Sequence, residues 1–173
     1  MDRSVARKGL VLETEKLRLR DLTESDFESR YELFSDSEVT RFLPEGPKDE
    51  KEARECFQKM LASQQSEPRR YFRLAIILKE NERFVGDCVC RLCNPTNPED
   101  LSRLMGEAYI GFFLKREFWR HGFGTEVAKT LLGFGFNQLD LRRIWAWCDS
   151  ENKASARILE GIGMKREGSS GRM

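Results

Sequence analysis

The spacing of apolar residues predicts one strand and two helices in the first third of the chain. Leu17 and Leu19 alternate with arginines, which predicts a half-buried strand over roughly residues 10 to 22. Thr23 and Asp26 form a helix-start box, and the aromatic residues that follow recur at helical spacing. A second apolar stripe at helical spacing begins after Asp49. We therefore expect a strand followed by two amphipathic helices that pack against a sheet.

The rest of the chain alternates strand-like and helix-like segments. Residues 70–93 contain two β-rich runs joined by the polar turn 79–82, which predicts a hairpin. Residues 104–115 and 142–148 are apolar on both faces, as is typical of central strands. Helical spacing recurs from about Thr125 to Leu139 and over residues 152–163, and residues 164–168 are predicted to form a last short strand.

These elements and the chain length define the expected organisation. The fold class is mixed α/β (α+β), in the order β, two α, three β, α, β, α, β. A chain of 173 residues is long enough for one core and too short for a second independent one. Residues 1–9 are expected to form a flexible leader and residues 10–173 a single domain.

Charge and cysteine content argue against several classes of partner and site. With 30 Lys and Arg against 29 Asp and Glu, no overall charge favours nucleic acid or a membrane surface. No apolar run could cross a bilayer and residues 1–9 do not resemble a signal peptide, so we expect a cytoplasmic protein. The five cysteines are odd in number and His121 is the only histidine. Structural thiols are therefore expected rather than a metal site.

Two glycines stand directly before an apolar helix in the segment HGFGTEVAKTLL. A helix start has unpaired backbone N–H groups and a partial positive charge, which suits an anion such as a phosphate. Gly122 and Gly124 would let successive amides converge on that phosphate. The alternative is a strand-to-helix turn in which glycine supplies only unusual dihedral angles. A dinucleotide fingerprint is excluded because Val127 stands where a third glycine is needed, and a G-K-[ST] phosphate loop is absent.

Two segments together resemble the GNAT superfamily of acetyl-CoA-dependent N-acetyltransferases, nearest its branch that acetylates ribosomal-protein N-termini. The segments are FFLKREFWRHGFGTEVAKTLL and WAWCDSENKASARILEGIGMKREG, and the resemblance covers about residues 10 to 168. It implies a mostly antiparallel twisted sheet with a V-shaped split between strands four and five, flanked by four helices. Family members continue beyond the position of residue 168 with another strand. Its absence implies truncation or an element supplied by a partner, for instance in a homodimer.

The resemblance also implies a site for acetyl-CoA, in which the glycine bend cradles the pyrophosphate. Trp119 stands where the family usually has Gln or Arg. The pantetheine arm would fill the split between the strand of Phe112 to Leu114 and the strand of Ile144 to Cys148, as a sheet extension. Backbone N–H groups at the fork would stabilise the developing oxyanion. The coenzyme-binding residues implied are Phe112, Phe113, Leu114, Trp119, Arg120, His121, Gly122, Phe123, Gly124, Thr125 and Asn152.

Glu107 is the candidate for the base that accepts the proton of the amine. Its parity with Tyr109 and Gly111 places all three on one face of a strand, where family members often hold a carboxylate that acts through water. A solvated glutamate at the start of a strand is the alternative. His121 is assigned no catalytic role, because its position in the phosphate loop would be too far from the acetyl carbon.

Ser155 is the candidate for the proton donor to the departing thiolate. It matches the Ser of the N-x-x-S pattern in the same branch, where that residue lies near the sulfur. The Tyr that many other family members use is replaced by Leu159. A hydroxyl on the helix surface is the alternative for Ser155. Asn152 begins the same helix and could be only its cap, although the family pattern makes it a pantetheine contact as well.

The expected function is acetyl transfer from acetyl-CoA to a primary amine, either a protein N-terminus or a small amine, by direct attack in a ternary complex. One alternative is a catalytically inactive module that senses acyl-CoA or docks onto another protein, and another is a scaffold without ligand. Trp145 and Trp147 share one strand face, which favours core or a wall of the acceptor site over a stacking platform for nucleic acid, and at least one of them is expected in the core.

Overall fold

In the described residues, six strands form a single sheet in sequence order. The computed structural model describes residues 9–43, 49–93 and 106–168, so residues 1–8 of the expected leader lie outside the described residues. All neighbouring strands are antiparallel except the last pair, β5 and β6, which is parallel. The strands are β1 (Val11–Glu13), β2 (Leu17–Asp21), β3 (Tyr71–Leu78), β4 (Arg83–Leu92), β5 (Glu107–Leu114) and β6 (Arg143–Trp145).

The prediction of one strand over residues 10 to 22 is wrong, because the chain reverses direction within it. The Thr14 amide donates to the Leu17 carbonyl at 2.9 Å, and the Thr14 hydroxyl accepts from the Leu17 amide at 2.7 Å. These two bonds close a turn, so residues on either side pair as the antiparallel hairpin β1–β2.

The prediction of a short strand at residues 164–168 is also wrong. No strand follows β6 in the described part of the chain. Met164 packs against the core and the Glu167 carboxylate pairs with Arg143, so this segment is attached by side chains rather than by a strand ladder.

The described helices are α1 (Phe27–Ser35), α2 (Ser37–Thr40), α3 (Glu50–Ser63), α4 (Phe123–Gly133) and α5 (Lys153–Gly161). The four of nine residues or more match the four predicted helices, and a π-helical turn over Phe134–Gln138 extends α4. Asp49 caps α3 by accepting from the Glu52 amide at 2.9 Å, as its position predicts. None of the helices in the described ranges is both long and apolar enough to span a bilayer.

The helices cover the two faces of the sheet unequally. On one face, here called the α4 face, Val127 and Leu131 pack on strand residues that include Cys88, Ala108 and Ile110. On the other, the α1 face, helices α1 and α3 form a smaller cluster with Phe27, Phe57, Ala75 and Ile77. The side chains of β5 alternate between the two faces. Ala108 and Ile110 are buried on the α4 face. Glu107, Tyr109 and Gly111 are half-buried on the α1 face.

A buried group of three charges joins α1 to the sheet on the α1 face. Asp87 of β4 is fully buried and accepts a hydrogen bond from Arg30 Nε at 2.7 Å. Arg73 of β3 forms an ion pair with the same carboxylate, with its Nε 2.5 Å from Oδ1. Burial acts to lower the pKa of Arg73, but the Asp87 carboxylate outweighs it and raises that pKa above its usual value. The single carboxylate therefore compensates two buried cations.

Replacing Asp87 by Ala should destabilise the protein strongly. Removing one partner from a buried ion pair leaves an uncompensated charge, and here two guanidinium groups would lose the carboxylate that both contact, for a cost of about 3–5 kcal/mol. The free energy of unfolding in urea measures this cost.

The matched control is Glu117→Gln, which breaks the exposed pair with Arg83 and should cost less than about 1 kcal/mol. Equal stability losses in the two variants would contradict the role assigned to Asp87.

Candidate active site

Strands β5 and β6 pair over three residues and then separate. The paired positions are Glu107 with Arg143, Ala108 with Ile144 and Tyr109 with Trp145. Strand β5 continues to Leu114, still paired with β4, while β6 ends at Trp145. The backbone edge of residues 110–114 that faces β6 therefore has no strand partner in the described chain, which leaves a fork that begins just beyond Tyr109.

The side chains of the three expected slot residues leave that backbone edge free. Phe112 and Leu114 pack against the core of the α4 face. Phe113 points to the α1 face, where its ring lies 5.2 Å from that of Phe34. An extended arm lying in the fork would therefore meet main-chain groups rather than side chains.

A bend leads from the end of β5 into helix α4. The Trp119 indole N–H donates to the Leu114 carbonyl at 2.8 Å, which ties the bend to the end of the strand. His121 Nδ1 is 2.8 Å from the Trp119 carbonyl, and its ring stacks on Phe123 at 5.7 Å. Arg120 is exposed and has a left-handed backbone with φ 64°. These contacts between residues of the bend therefore stabilise its conformation.

The two glycines have different roles. Gly122 is the N-cap of α4 and adopts φ 78°, a region that glycine enters without strain. Gly124 is buried, and a Cβ there would lie 2.8 Å from Ile158 Cδ1 and 3.3 Å from Phe112 Cε2. Its missing side chain lets α4 approach β5 and α5. The role of the two glycines at a phosphate stays a prediction.

The start of α4 nevertheless presents unpaired amides. The first helical hydrogen bond runs from the Glu126 amide to the Gly122 carbonyl at 3.1 Å. The amides of Phe123, Gly124 and Thr125 precede it, and among residues 9–43, 49–93 and 106–168 they have no hydrogen-bond acceptor. Together with the helix dipole, three such donors are suited to an anion.

Glu126 anchors this helix start to the first hairpin. Its carboxylate accepts from the Thr14 hydroxyl and from the Lys16 amide, the latter at 3.1 Å. The acidic side chain is therefore turned away toward β1–β2 and does not compete for the amides at the helix start.

Glu107 lies on the α1 face, two residues before the fork opens. Its side chain is 12% exposed and forms an ion pair with Arg143, with Oε2 3.6 Å from Nη1. The predicted placement on one face with Tyr109 and Gly111 agrees with the burial pattern of β5. Its role as a base stays a prediction.

Ser155 and Asn152 lie together at the start of α5. Asn152 Oδ1 accepts from the Ser155 amide at 3.1 Å, which makes Asn152 the N-cap of the helix. The Ser155 side chain is half-buried, and its hydroxyl has no hydrogen-bond partner in the described ranges. That hydroxyl is available to a ligand, whereas the amide is used by the cap.

The expectation that Trp145 or Trp147 lies in the core is wrong. Trp145 is 39% exposed and Trp147 is 47% exposed. Trp145 shares the α1 face with its register partner Tyr109, the two rings being 5.1 Å apart, while Ala146 between the two tryptophans packs toward the core. This apolar segment therefore lies beside the fork and does not form a central strand of the sheet.

Sequence reasoning missed the charged group behind the fork. Arg30, Arg73 and Asp87 lie on the α1 face, and the Arg73 guanidinium is 5.5 Å from the Phe113 ring. The signal was available, because Arg73 and Asp87 are charged residues inside two otherwise apolar runs of the predicted hairpin.

All five cysteines lie within the described residues and are free thiols. Within the described ranges no group of three or more His, Cys, Asp or Glu side chains could bind a metal ion. Cys88 and Cys90 are buried in the core of the α4 face, and burial raises the pKa of Cys90 to about 12.

Comparison with known proteins decides the family. The acetyltransferase (GNAT) domain family matches residues 16–165. The chain belongs to the GNAT acetyltransferase family. The uncharacterised N-acetyltransferase p20 of Bacillus licheniformis is 32% identical over 158 residues, which cover 91% of this chain and 83% of that protein. The predicted family, the acetyltransferase class and the mixed α/β fold are thereby confirmed.

Solved structures of GNAT proteins share the fold. A GNAT acetyltransferase from Bacillus anthracis aligns with a TM-score of 0.76 and 28% identity, covering 92% of this chain and 86% of that one. The ribosomal-protein alpha-N-acetyltransferase RimL in complex with coenzyme A also aligns with a TM-score of 0.76, at 18% identity, covering 92% and 86%. At 18% identity the likeness to RimL extends to the fold alone.

Replacing Gly122 by Ala should destabilise the bend without a steric clash. No atom lies within 4 Å of the position of the new Cβ, so the cost of about 1–2 kcal/mol comes from the left-handed backbone. Urea denaturation measures it. Gly133→Ala, inside α4 with its nearest neighbour at 3.9 Å, should instead gain up to about 1 kcal/mol. A Gly122→Ala variant as stable as the wild type would contradict the conformational role of Gly122.

Proposed function

We propose that this GNAT protein transfers the acetyl group of acetyl-CoA to a primary amine by direct attack in a ternary complex. The observation that supports this most is the position of the fork beside the start of α4. The free backbone edge of residues 110–114 leads directly to the amides of Phe123, Gly124 and Thr125. An extended arm that ends in a diphosphate fits this combination of a strand edge and an anion site.

The coenzyme would be held mainly by the main chain. Phe112, Phe113 and Leu114 would pair with the amides of pantetheine, and the amides at the start of α4 would bind the pyrophosphate. Trp119, Arg120 and His121 shape the bend, and exposed Arg120 adds a positive charge near the phosphates. Asn152 would contribute from the start of α5, where its Oδ1 already caps the helix.

Access to the fork differs between the two faces of the sheet. On the α4 face, Gly124, Phe112 and Ile158 are in close contact, so α4 and α5 cover the fork. On the α1 face, Trp145 and Trp147 are exposed beside it. We therefore place the amine acceptor on the α1 face, where it would meet Glu107 and Tyr109.

Two side chains would handle the protons. Attack on a thioester requires a neutral amine, and the departing thiolate needs a proton. Glu107 would accept the amine proton through water, after its carboxylate loosens from Arg143. Ser155 would donate to the sulfur with its free hydroxyl. Nothing observed in the protein favours the inactive acyl-CoA-binding module over this enzyme.

Acetyl-CoA binding should be measurable before any acceptor is known. At a coenzyme concentration of about 100 times Kd, stability should rise by about 2.7 kcal/mol, because the ligand binds only the folded protein. Thiol release is then followed with N-terminal peptides and small amines. Acceptor-dependent release supports the proposal, whereas tight binding without release by any amine would leave the inactive module.

Replacing Ser155 by Ala and Glu107 by Gln should reduce kcat, by about 100-fold each, because a positioned acid or base contributes about that factor or more. The Kd of acetyl-CoA should change little. The matched controls are Ser150→Ala, in the loop before α5, and Glu167→Gln, the other carboxylate that pairs with Arg143. If Ser150→Ala lost as much activity as Ser155→Ala, the assignment of Ser155 would be wrong. The same holds for Glu107 if Glu167→Gln lost as much activity as Glu107→Gln.

A further inference from the structure

Tyr109 is the last residue of β5 that pairs with β6, so its side chain begins where the fork opens. The side chain lies on the α1 face and turns forward along its own strand. A Cβ at Gly111 would lie 2.9 Å from the Tyr109 hydroxyl oxygen and 3.4 Å from the ring. The hydroxyl is therefore held two residues inside the open part of the fork, in the space that the missing side chain of Gly111 leaves.

The environment of Tyr109 holds its ring and leaves its hydroxyl free. The centroid of its ring lies 5.1 Å from the centroid of the Trp145 ring on the neighbouring strand β6. Within the described residues the hydroxyl makes no hydrogen bond, although the nearby Tyr71 hydroxyl accepts one from Arg73 Nη1 at 3.3 Å. Burial raises the pKa of Tyr109, with Arg73 opposing that shift, so the phenol stays protonated at neutral pH.

A protonated phenol at this position can donate a hydrogen bond to the acyl oxygen, which neither Glu107 nor Ser155 is placed to do. Glu107 lies before the fork on β5, and Ser155 lies on α5, which covers the other face. The amine would arrive on the α1 face, where the Tyr109 hydroxyl already stands. When an amine attacks an acyl carbon, negative charge develops on the acyl oxygen, and a preorganised donor beside it lowers the barrier.

We propose that the Tyr109 hydroxyl donates a hydrogen bond to the acetyl oxygen during transfer and so completes an oxyanion site with the backbone N–H groups of β5. The inference rests on the proposed function. The amine nitrogen forms the new C–N bond, the C–S bond breaks, the amine proton leaves to the base and the sulfur takes a proton. Tyr109 keeps its own proton throughout.

Two variants test this role in different ways. Tyr109→Phe removes the hydroxyl and keeps the ring against Trp145. Gly111→Ala keeps the hydroxyl but displaces it, because the new Cβ would stand 2.9 Å from the oxygen. Tyr71→Phe is the matched control, since it removes the neighbouring phenol on the same face.

The measurements are kcat and KM for transfer, the slow hydrolysis of acetyl-CoA without acceptor, and the Kd of acetyl-CoA by calorimetry. Hydrolysis develops the same charge on the acetyl oxygen and needs no knowledge of the acceptor. Tyr109→Phe should lower both kcat and hydrolysis about 100-fold, the usual effect of losing one such donor. The Kd of the Tyr109→Phe variant should stay within about twofold of wild type. Gly111→Ala should also lower kcat and the hydrolysis rate, and Tyr71→Phe should leave both near wild type.

The pH dependence separates a hydrogen-bond donor from a residue that transfers a proton. The loss in Tyr109→Phe should be the same across neutral and mildly alkaline pH, with the apparent pKa values of the profile unchanged.

A Tyr109→Phe variant with wild-type kcat and hydrolysis, or one that weakens only the Kd, would overturn the inference and leave the proposed function standing. A shifted pH profile would also overturn it, in favour of proton transfer by Tyr109. A wild-type protein that fails to bind acetyl-CoA, or binds it and neither transfers nor hydrolyses the acetyl group, would overturn both.

Discussion

The short pairing of β5 with β6 is the constraint on which the rest of the site depends. Three pairs of residues hold the two strands together, and beyond them the backbone of β5 has no partner on that side within the part of the chain that the structure describes. The N–H and C=O groups of an unpaired strand edge need hydrogen-bond partners when buried, and when exposed they can pair with another chain. Within the described residues this open edge is five residues long and leads to a helix start, and we propose that one extended ligand fills it.

Helix α4 holds the open edge in place from one face. Gly124 permits close packing of α4 on Phe112 and on Ile158 of α5, and Glu126 fixes the helix to the β1–β2 turn. Since these contacts occupy the α4 face, we propose that the acceptor reaches the fork from the α1 face. On that second face, the buried group of Arg30, Arg73 and Asp87 ties α1 to β3 and β4.

The sequence allowed the family, the order of most elements and the glycine bend to be predicted, because those features depend on local patterns. Side-chain contacts between distant segments could not be predicted. The Thr14 turn that divides the first strand, the ion pair of Glu107 with Arg143 and the position of the Tyr109 hydroxyl over Gly111 follow from register and packing. Exposed Trp145 contradicted an expectation from composition alone, because apolar content does not reveal which face of a strand is covered.

Hydrogen exchange of individual backbone amides with and without coenzyme A tests the central claim most directly, since it reports which main-chain groups the ligand covers. The account predicts new protection at residues 110–114 and at Phe123, Gly124 and Thr125, with α3 unchanged as the internal reference. Protection confined to other segments, or none at saturating coenzyme, would show that the fork and the start of α4 are not the binding site.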